Sequence, residues 1–131
     1  MLKRIFIIVV LFFGSSQSNY AQDIDEALNE ISKEMNKSLP MVIDEYTTLL
    51  TTYGGKGKVL YRYALNTEIF SDYNISKDRW IEAQNKSIKN TFCTSPDMSF
   101  YRRYNVTVSW NYVDLEGRFI TKIELNQKDC Q

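Results

Sequence analysis

The two cysteines, Cys93 and Cys130, constrain the fold of this chain more than any other feature. They enclose a segment that has the pattern of a helix end, a short helix and a β-hairpin, followed by a polar tail. A short tail would fray at the surface unless a covalent bond held it. We therefore predict a disulfide between Cys93 and Cys130.

The hairpin within this segment is predicted from the alternation of apolar and polar residues. Residues Asn105–Val113 alternate between apolar and polar side chains, which is typical of a half-buried strand. Gly117 can adopt the positive φ that closes a hairpin, and Arg118–Leu125 alternates again. The side chains predicted to face the core are Val106, Val108, Trp110, Tyr112, Phe119, Ile123 and Leu125.

The first 21 residues have the pattern of an export signal peptide. Lys3 and Arg4 precede the apolar run Ile5–Phe13, which is too short to span a bilayer. We expect cleavage after Ala21, leaving residues 22–131 as a single soluble domain without stable membrane insertion. No cysteine lies near this position, so we expect no lipid anchor. A periplasmic or secreted location is oxidising, which suits the predicted disulfide.

The net charge of residues 22–131 limits the classes of partner that the protein is expected to bind. This part holds fourteen basic and sixteen acidic residues, a net charge of −2, and it has no basic cluster. Proteins that bind nucleic acids carry a concentrated positive surface. We therefore expect no nucleic-acid partner.

The first half of the domain is predicted to hold one helix and two strands. The helix starts after a cap at Asp23 and ends near Ser38, before a proline. The segment Met41–Tyr53 is rich in β-branched and aromatic residues and is predicted to be one strand, although Leu49 and Leu50 interrupt its alternation. The glycines of 54–57 indicate a hairpin turn, and Lys58–Leu65 forms the next strand.

The second half begins with the polar segment 66–75, which is predicted to be irregular. Ser76 caps a helix over 77–92, and Ser95, followed by proline, caps a short helix that ends near Arg103. The predicted fold is therefore α+β. Two antiparallel hairpins form a small sheet, which two main helices and one short helix cover, with one disulfide.

Residues that commonly act in catalysis or bind metal ions are scarce in this sequence. The chain has no histidine, and both cysteines are assigned to the disulfide. Asp44 and Glu45 are adjacent, and neighbours on a strand point to opposite faces, so a shared acid/base site is not expected. We predict no catalytic residues, no metal site and no cofactor. The chain is not expected to be an enzyme.

Aromatic residues are abundant and point to binding. The run Tyr101, Arg102, Arg103 and Tyr104 combines residue types that are enriched in protein interfaces. We predict that a partner-binding surface uses these four residues. The alternative is that the tyrosines fill a core that is short of aliphatic side chains, while the arginines are solvated.

Several motifs resemble a widespread group of small exported bacterial proteins of unassigned function. They are Asp44 with Thr47 and Leu49, Tyr61-X-Tyr63, Cys93-Thr94-X-Pro96, Trp110-X-Tyr112-X-Asp114-X-X-Gly117 and Cys130. The layout is also similar to that of the single-disulfide pilotins of type II secretion. Those proteins bind a segment of the outer-membrane secretin, so the resemblance implies an exported α+β fold and a protein partner.

The leading functional prediction is a non-enzymatic exported protein that binds another protein through a sheet face, a sheet edge or a helix groove. Three alternatives remain: an inhibitor or immunity protein, a pilotin-like secretion accessory, and a carrier of a small apolar ligand. A carrier requires an enclosed apolar pocket of several hundred Å³, whereas a binding module requires an exposed aromatic patch or an open strand edge.

Overall fold

The computed structural model describes residues 21–131. The predicted signal peptide therefore lies outside the described residues, apart from Ala21. A helix, α1, covers residues 21–36. Asp23 lies inside α1, so its assignment as the helix cap was wrong, because Ala21 and Gln22 are already helical. Within residues 21–131, no helix has the length and apolarity needed to cross a bilayer.

The part of the chain that the structure describes forms a mixed sheet of five strands, which lie side by side in chain order. They are β1 (Met41–Val42), β2 (Thr47–Gly55), β3 (Lys58–Leu65), β4 (Thr107–Asp114) and β5 (Phe119–Leu125). The two predicted hairpins, β2–β3 and β4–β5, are both antiparallel. The two-hairpin description is nevertheless only partly correct, because β3 and β4 pair in parallel and β1 adds an edge strand. A parallel pair needs a long crossover connection, and helices supply it here.

The crossover contains the remaining helices. These are α2 (Glu68–Asp72), α3 (Lys77–Thr94), a 3₁₀ turn (Pro96–Met98) and α4 (Ser99–Arg103). The prediction of an irregular 66–75 segment was wrong, since α2 lies within it. Both serine caps are confirmed: Ser76 Oγ accepts the Arg79 N–H at 3.2 Å, and Ser95 Oγ accepts the Asp97 N–H at 3.2 Å.

The predicted strand over Met41–Tyr53 is interrupted by a turn. Asp44 Oδ1 accepts the Tyr46 N–H at 2.9 Å, which bends the chain between β1 and β2. The register of β2 against β3 shifts between Leu49 and Thr51, so Leu50 is the extra residue of a β-bulge. This bulge explains how two adjacent leucines fit a strand of otherwise alternating residues.

The β2–β3 turn lies against α1. Lys56 and Gly57 both have positive φ, 53° and 70°, as a two-residue hairpin turn of type I′ requires. The Gly57 N–H donates to Asp25 Oδ1 at 2.6 Å. At Gly54 the backbone of α1 comes so close that an added Cβ would lie 2.1 Å from the Leu28 carbonyl oxygen. The glycine-rich segment therefore closes the hairpin and also accommodates the helix.

Aromatic rings fill much of the core between the sheet and α3. Parallel pairing of β3 with β4 stacks Tyr61 on Trp110 and Tyr63 on Tyr112, with ring centroids 6.3 and 5.0 Å apart. Trp80 of α3 meets the Tyr112 ring edge-on at 5.2 Å. Burial raises the pKa of Tyr63 to about 12. Much of the aromatic surplus of the sequence is therefore structural.

Phe119 is the exception among the predicted core residues, because its side chain is 67% exposed. The register of β4 against β5 shifts between Tyr112 and Val113, and Phe119 lies opposite Val113 rather than in step with Ile123. This bulge moves Phe119 to the solvent side of the sheet and leaves Ile120 buried in its place. The prediction for Phe119 was wrong, whereas Ile123 and Leu125 are buried as predicted.

The disulfide joins Cys93, near the end of α3, to Cys130, with the two Cα atoms 5.4 Å apart. Cys130 ends a 3₁₀ turn (Gln127–Cys130) that a capping box formed by Asn126 and Asp129 opens. The polar tail is therefore ordered both by local hydrogen bonds and by its covalent link to α3.

Candidate functional site

Two of the four residues predicted to bind a partner hold the fold together. Tyr101 is only 7% exposed, and its Oη lies 3.2 Å from Tyr61 Oη. Arg102 Nη1 donates to the carbonyl oxygens of Phe92 and Ser95, at 2.5 and 2.9 Å. Arg102 therefore supplies a donor to the Phe92 carbonyl in the last turn of α3, which a helix leaves without a partner of its own. It also donates to the Ser95 carbonyl just after α3, which accepts the Met98 N–H as well.

The other two residues, Arg103 and Tyr104, are more accessible. Arg103 is exposed, and Tyr104 is half-buried, with its ring centroid 4.8 Å from that of Phe100. The four side chains therefore do not form one exposed face. A contact that involves Arg103 and Tyr104 stays a prediction.

A different surface combines exposed aromatic and apolar side chains. It consists of two adjoining clefts, of about 470 and 450 Å³, which share Tyr73 and Ile75 and which we call the α2 groove. The first cleft is lined by Asp44, Glu45, Tyr46, Ile69, Tyr73, Ile75 and Trp80. The second is lined by Tyr73, Asn74, Ile75, Arg79, Glu82, Ala83 and Lys86.

Three elements build the first cleft, and two side-chain contacts of Tyr46 join two of them. The turn before β2 presents Tyr46, whose Oη donates to Asp72 Oδ2 at 2.7 Å, at the end of α2. The Tyr46 ring also meets the Tyr73 ring edge-on, with centroids 5.9 Å apart. The β1–β2 turn is thereby held against α2, and Trp80 of α3 contributes to the floor of the cleft.

The chain reverses direction just after α2. The Ile75 N–H donates to the Phe70 carbonyl at 2.9 Å, and Asn74 has a positive φ of 49°. This reversal places Tyr73 at the surface, where it is 66% exposed, while Ile75 is half-buried beneath it. A tyrosine held at the surface over an apolar floor is typical of a binding site for another protein.

Negative charge surrounds the hydroxyl of Tyr46. The hydrogen bond to Asp72 raises the pKa of Tyr46, and desolvation and the charges of Asp72 and Glu45 raise it further. The phenol is therefore protonated at neutral pH and serves as the donor to Asp72. The proton that this contact requires is thus present at physiological pH.

Sequence reasoning missed the α2 groove. Asp44 and Glu45 were assigned to a strand, where they would point apart, but they lie in a turn and both line the first cleft. Tyr73 falls in the segment predicted to be irregular. A usable signal was the short side chain of Asp44 two residues before Tyr46, which is the pattern of an Asx turn.

The sheet edge beside β2 is partly closed. Asn36 at the end of α1 imitates a neighbouring strand: its Nδ2 donates to the Thr52 carbonyl at 2.9 Å, and its Oδ1 accepts the Thr52 N–H at 2.8 Å. The short strand β1 leaves Met41, Val42 and Ile43 exposed. Since this edge is short, it offers little backbone for strand addition, whereas β5 forms the opposite edge of the sheet over Phe119–Leu125.

The space between α1 and the sheet does not suit a small-ligand carrier. The gap lined by Leu28, Met35 and Tyr61 is too narrow to hold a water molecule. The two clefts of the α2 groove, and a third of about 370 Å³ beside the disulfide, are open to solvent. These spaces differ from the enclosed apolar pocket that a carrier requires.

Comparisons with known proteins agree at the level of the fold. The chain superposes on a Pseudomonas aeruginosa protein assigned as secreted with a TM-score of 0.69 and 8% identity, covering 83% of this chain and 94% of that one. The chain superposes on the pilotin EpsS of the Vibrio vulnificus type 2 secretion system with a TM-score of 0.66 and 9% identity, covering 84% of this chain and 94% of that one. For the type II pilotin AspS of Vibrio cholerae the TM-score is 0.67 and the identity 10%, and the match covers 88% of this chain and 99% of that one.

In sequence, no protein-family model matches the chain. Protein K of Escherichia coli is 31% identical over 64 residues, which cover 49% of this chain and 33% of that protein. The chain thus matches about a third of the length of this curated relative. The predicted similarity in layout to type II secretion pilotins is confirmed: this chain has the fold of a protein assigned as secreted and of two type II secretion pilotins.

Proposed function

We propose that this chain is a non-enzymatic exported protein that binds a segment of another protein in the α2 groove, as a pilotin-like accessory of secretion. The shared fold supports an exported binding module, since two of the similar structures are pilotins. By that likeness, the partner is a component of a secretion complex. The groove supplies what the fold alone does not, which is a specific surface.

The observation that carries the proposal is the position of Tyr73. Its side chain is 66% exposed and separates two clefts whose shared floor includes the apolar Ile75. Aromatic side chains that border apolar clefts often dominate binding energies, because they bury a large area on contact. The hydrogen bond between Tyr46 and Asp72 holds both walls of the first cleft in place without a partner.

Photo-crosslinking in the producing cells tests this proposal. A p-benzoylphenylalanine placed at Tyr73 should form an adduct with one discrete protein, which mass spectrometry identifies. Tyr53 is the matched control, because it is also an exposed tyrosine, at 50%, but lies on β2 outside the groove. Adducts at Tyr53 and not at Tyr73 would show that binding uses another surface. An adduct at Tyr73 with a protein unrelated to secretion would refute the accessory role alone.

A further inference from the structure

The first cleft combines an apolar floor with an acidic rim. Ile69 and Ile75 are half-buried and Trp80 is buried, so these side chains present apolar surface at the bottom of the cleft. Asp44 and Glu45 are exposed on its lining. The site is defined by the apolar floor; the carboxylates determine which segment fits it.

These carboxylates have no basic partner in residues 21–131. Asp44 accepts a backbone N–H from Tyr46, and neighbouring Asp72 accepts the Tyr46 hydroxyl. Neither of them, nor Glu45, forms an ion pair with a lysine or arginine of the described chain.

The basic residues of the groove lie on the other side of Tyr73. Arg79 and Lys86 line the second cleft, where Lys86 Nζ is 3.8 Å from Glu82 Oε1. The groove is therefore polarised, with its excess of negative charge at the Asp44 and Glu45 end. A positive group of a bound segment would be favoured at that end and repelled from the Arg79 end.

We infer that the first cleft takes a protein segment in which an apolar side chain stands next to lysine or arginine. The apolar side chain occupies the floor formed by Ile69, Ile75 and Trp80, and the cation lies against Asp44 and Glu45. This inference rests on the proposed function and adds the chemistry of the bound segment. A neutral apolar segment would leave the acidic rim without a partner, and an acidic one would be repelled by it.

Three synthetic peptides of ten residues provide the test. They share one leucine-rich core and carry two lysines, two glutamines or two glutamates beside it. Binding to the exported protein is followed through the amide chemical shifts of Tyr73 and Ile75. The lysine peptide should bind about fivefold tighter than the glutamine peptide and the glutamate peptide more weakly still, with the preference shrinking as salt is raised. Equal binding of the three peptides would overturn the inference.

A matched pair of variants separates local attraction from overall charge. Glu45→Gln removes one of the two rim carboxylates and should lower the preference for lysine from about fivefold to about twofold. Glu30→Gln, an equal charge change at an exposed position of α1 outside the groove, should leave it unchanged. An unchanged preference in Glu45→Gln, or an equal loss in both variants, would overturn the inference.

The peptide result is distinguishable from failure of the proposed function. If none of the peptides shifts Tyr73 or Ile75 while the Tyr73 crosslink forms, the groove binds a segment of different chemistry and only the inference is refuted. If the crosslink fails as well, the proposed function is refuted together with it.

Discussion

Replacing Gly54 with alanine tests the contact between α1 and the sheet. Gly54 is not among the residues with positive φ, so its backbone would accept alanine. In open space the change would stabilise the protein by about 0.4–1 kcal/mol, because alanine restricts the unfolded chain. Here the new Cβ would lie 2.1 Å from the Leu28 oxygen and 2.6 Å from its carbon. The sign of the effect therefore depends on whether α1 can retreat.

The distance by which α1 must move away from β2 sets the size of the destabilisation. Real Cβ contacts are essentially never shorter than 3.0 Å, so the Leu28 carbonyl must move by about 0.9 Å, which is the difference between 3.0 and 2.1 Å. The opposing atoms belong to a helix backbone, which has no rotamer through which to yield. Overpacking of this kind costs about 1–3 kcal/mol. In a domain of this size it should lower the melting temperature by roughly 4 °C per kcal/mol.

Urea and thermal unfolding of Gly54→Ala measure this effect, and amide exchange locates it. Protection should fall along α1, around Leu28. Gly117→Ala is the comparison: with φ of 84° and no atom within 4 Å of the added Cβ, it should weaken only the β4–β5 turn. If Gly54→Ala is as stable as the wild type or more stable, the close approach of α1 to β2 is refuted.

Three further predictions concern stability. Cys130→Ser opens the loop of 37 residues that the disulfide closes and should lower the free energy of unfolding by about 4 kcal/mol. When the wild type is reduced, the two proteins should differ little in stability. Equal melting temperatures under oxidising conditions would contradict this prediction. Arg102→Ala removes two hydrogen bonds from the end of α3 and should cost about 2 kcal/mol in urea unfolding. The exposed Arg103→Ala should change stability by less than about 0.5 kcal/mol, and equal losses would contradict the assignment. Although desolvation opposes it, hydrogen bonding and charge from Arg118 lower the pKa of Asp114. The Asp114 carboxylate therefore stabilises the folded protein at pH values above its unfolded pKa of about 4. This stabilisation is lost as the pH falls through the lower folded pKa. Asp114→Asn should therefore reduce the loss of stability on acidification in a stability–pH curve.

The parts of the fold that the sequence predicts are those set by local patterns. Caps at Ser76 and Ser95 depend on side chains two or three residues away from the groups they bind, and both form as predicted. The alternation of Val108, Trp110 and Tyr112 likewise identifies the strand and its core face, although Ser109 and Val113 on the opposite face are buried as well. Such patterns are independent of how the elements assemble.

The errors arise where a single residue changes the register. The bulge in the β4–β5 pairing sends Phe119 to solvent, although its spacing from Ile123 matches the core pattern. A bulge in β2 has a visible signal, the adjacent Leu49 and Leu50, because strict alternation cannot bury both. A comparable signal in β5 is the adjacent Phe119 and Ile120, of which Ile120 is the extra residue of the bulge, but this pair alone does not tell which of the two side chains is buried.

The α2 groove could not be predicted because it depends on contacts between distant parts of the chain. Tyr46 and Asp72 are 26 residues apart, and their hydrogen bond forms only when α2 packs beside the β1–β2 turn. The Asn66 N–H donates to the Tyr46 carbonyl at 2.8 Å at the end of the β2–β3 hairpin, which brings the β1–β2 turn beside α2. The floor residue Trp80 packs on Tyr112 of β4, so its position depends on the parallel pairing of β3 with β4. Two hairpins can assemble in more than one order, and periodicity within each hairpin does not distinguish the orders.

The most direct test of the account is the affinity of the α2 groove for the partner identified by crosslinking. Isothermal titration should compare the wild type with Tyr73→Ala and with Tyr53→Ala, two exposed tyrosines of which only Tyr73 lines the groove. If Tyr73 is an anchor, its truncation should weaken binding by about 2 kcal/mol, roughly thirtyfold, while Tyr53→Ala binds as the wild type does. Unchanged binding by a folded Tyr73→Ala protein would contradict the assignment of the groove as the partner site.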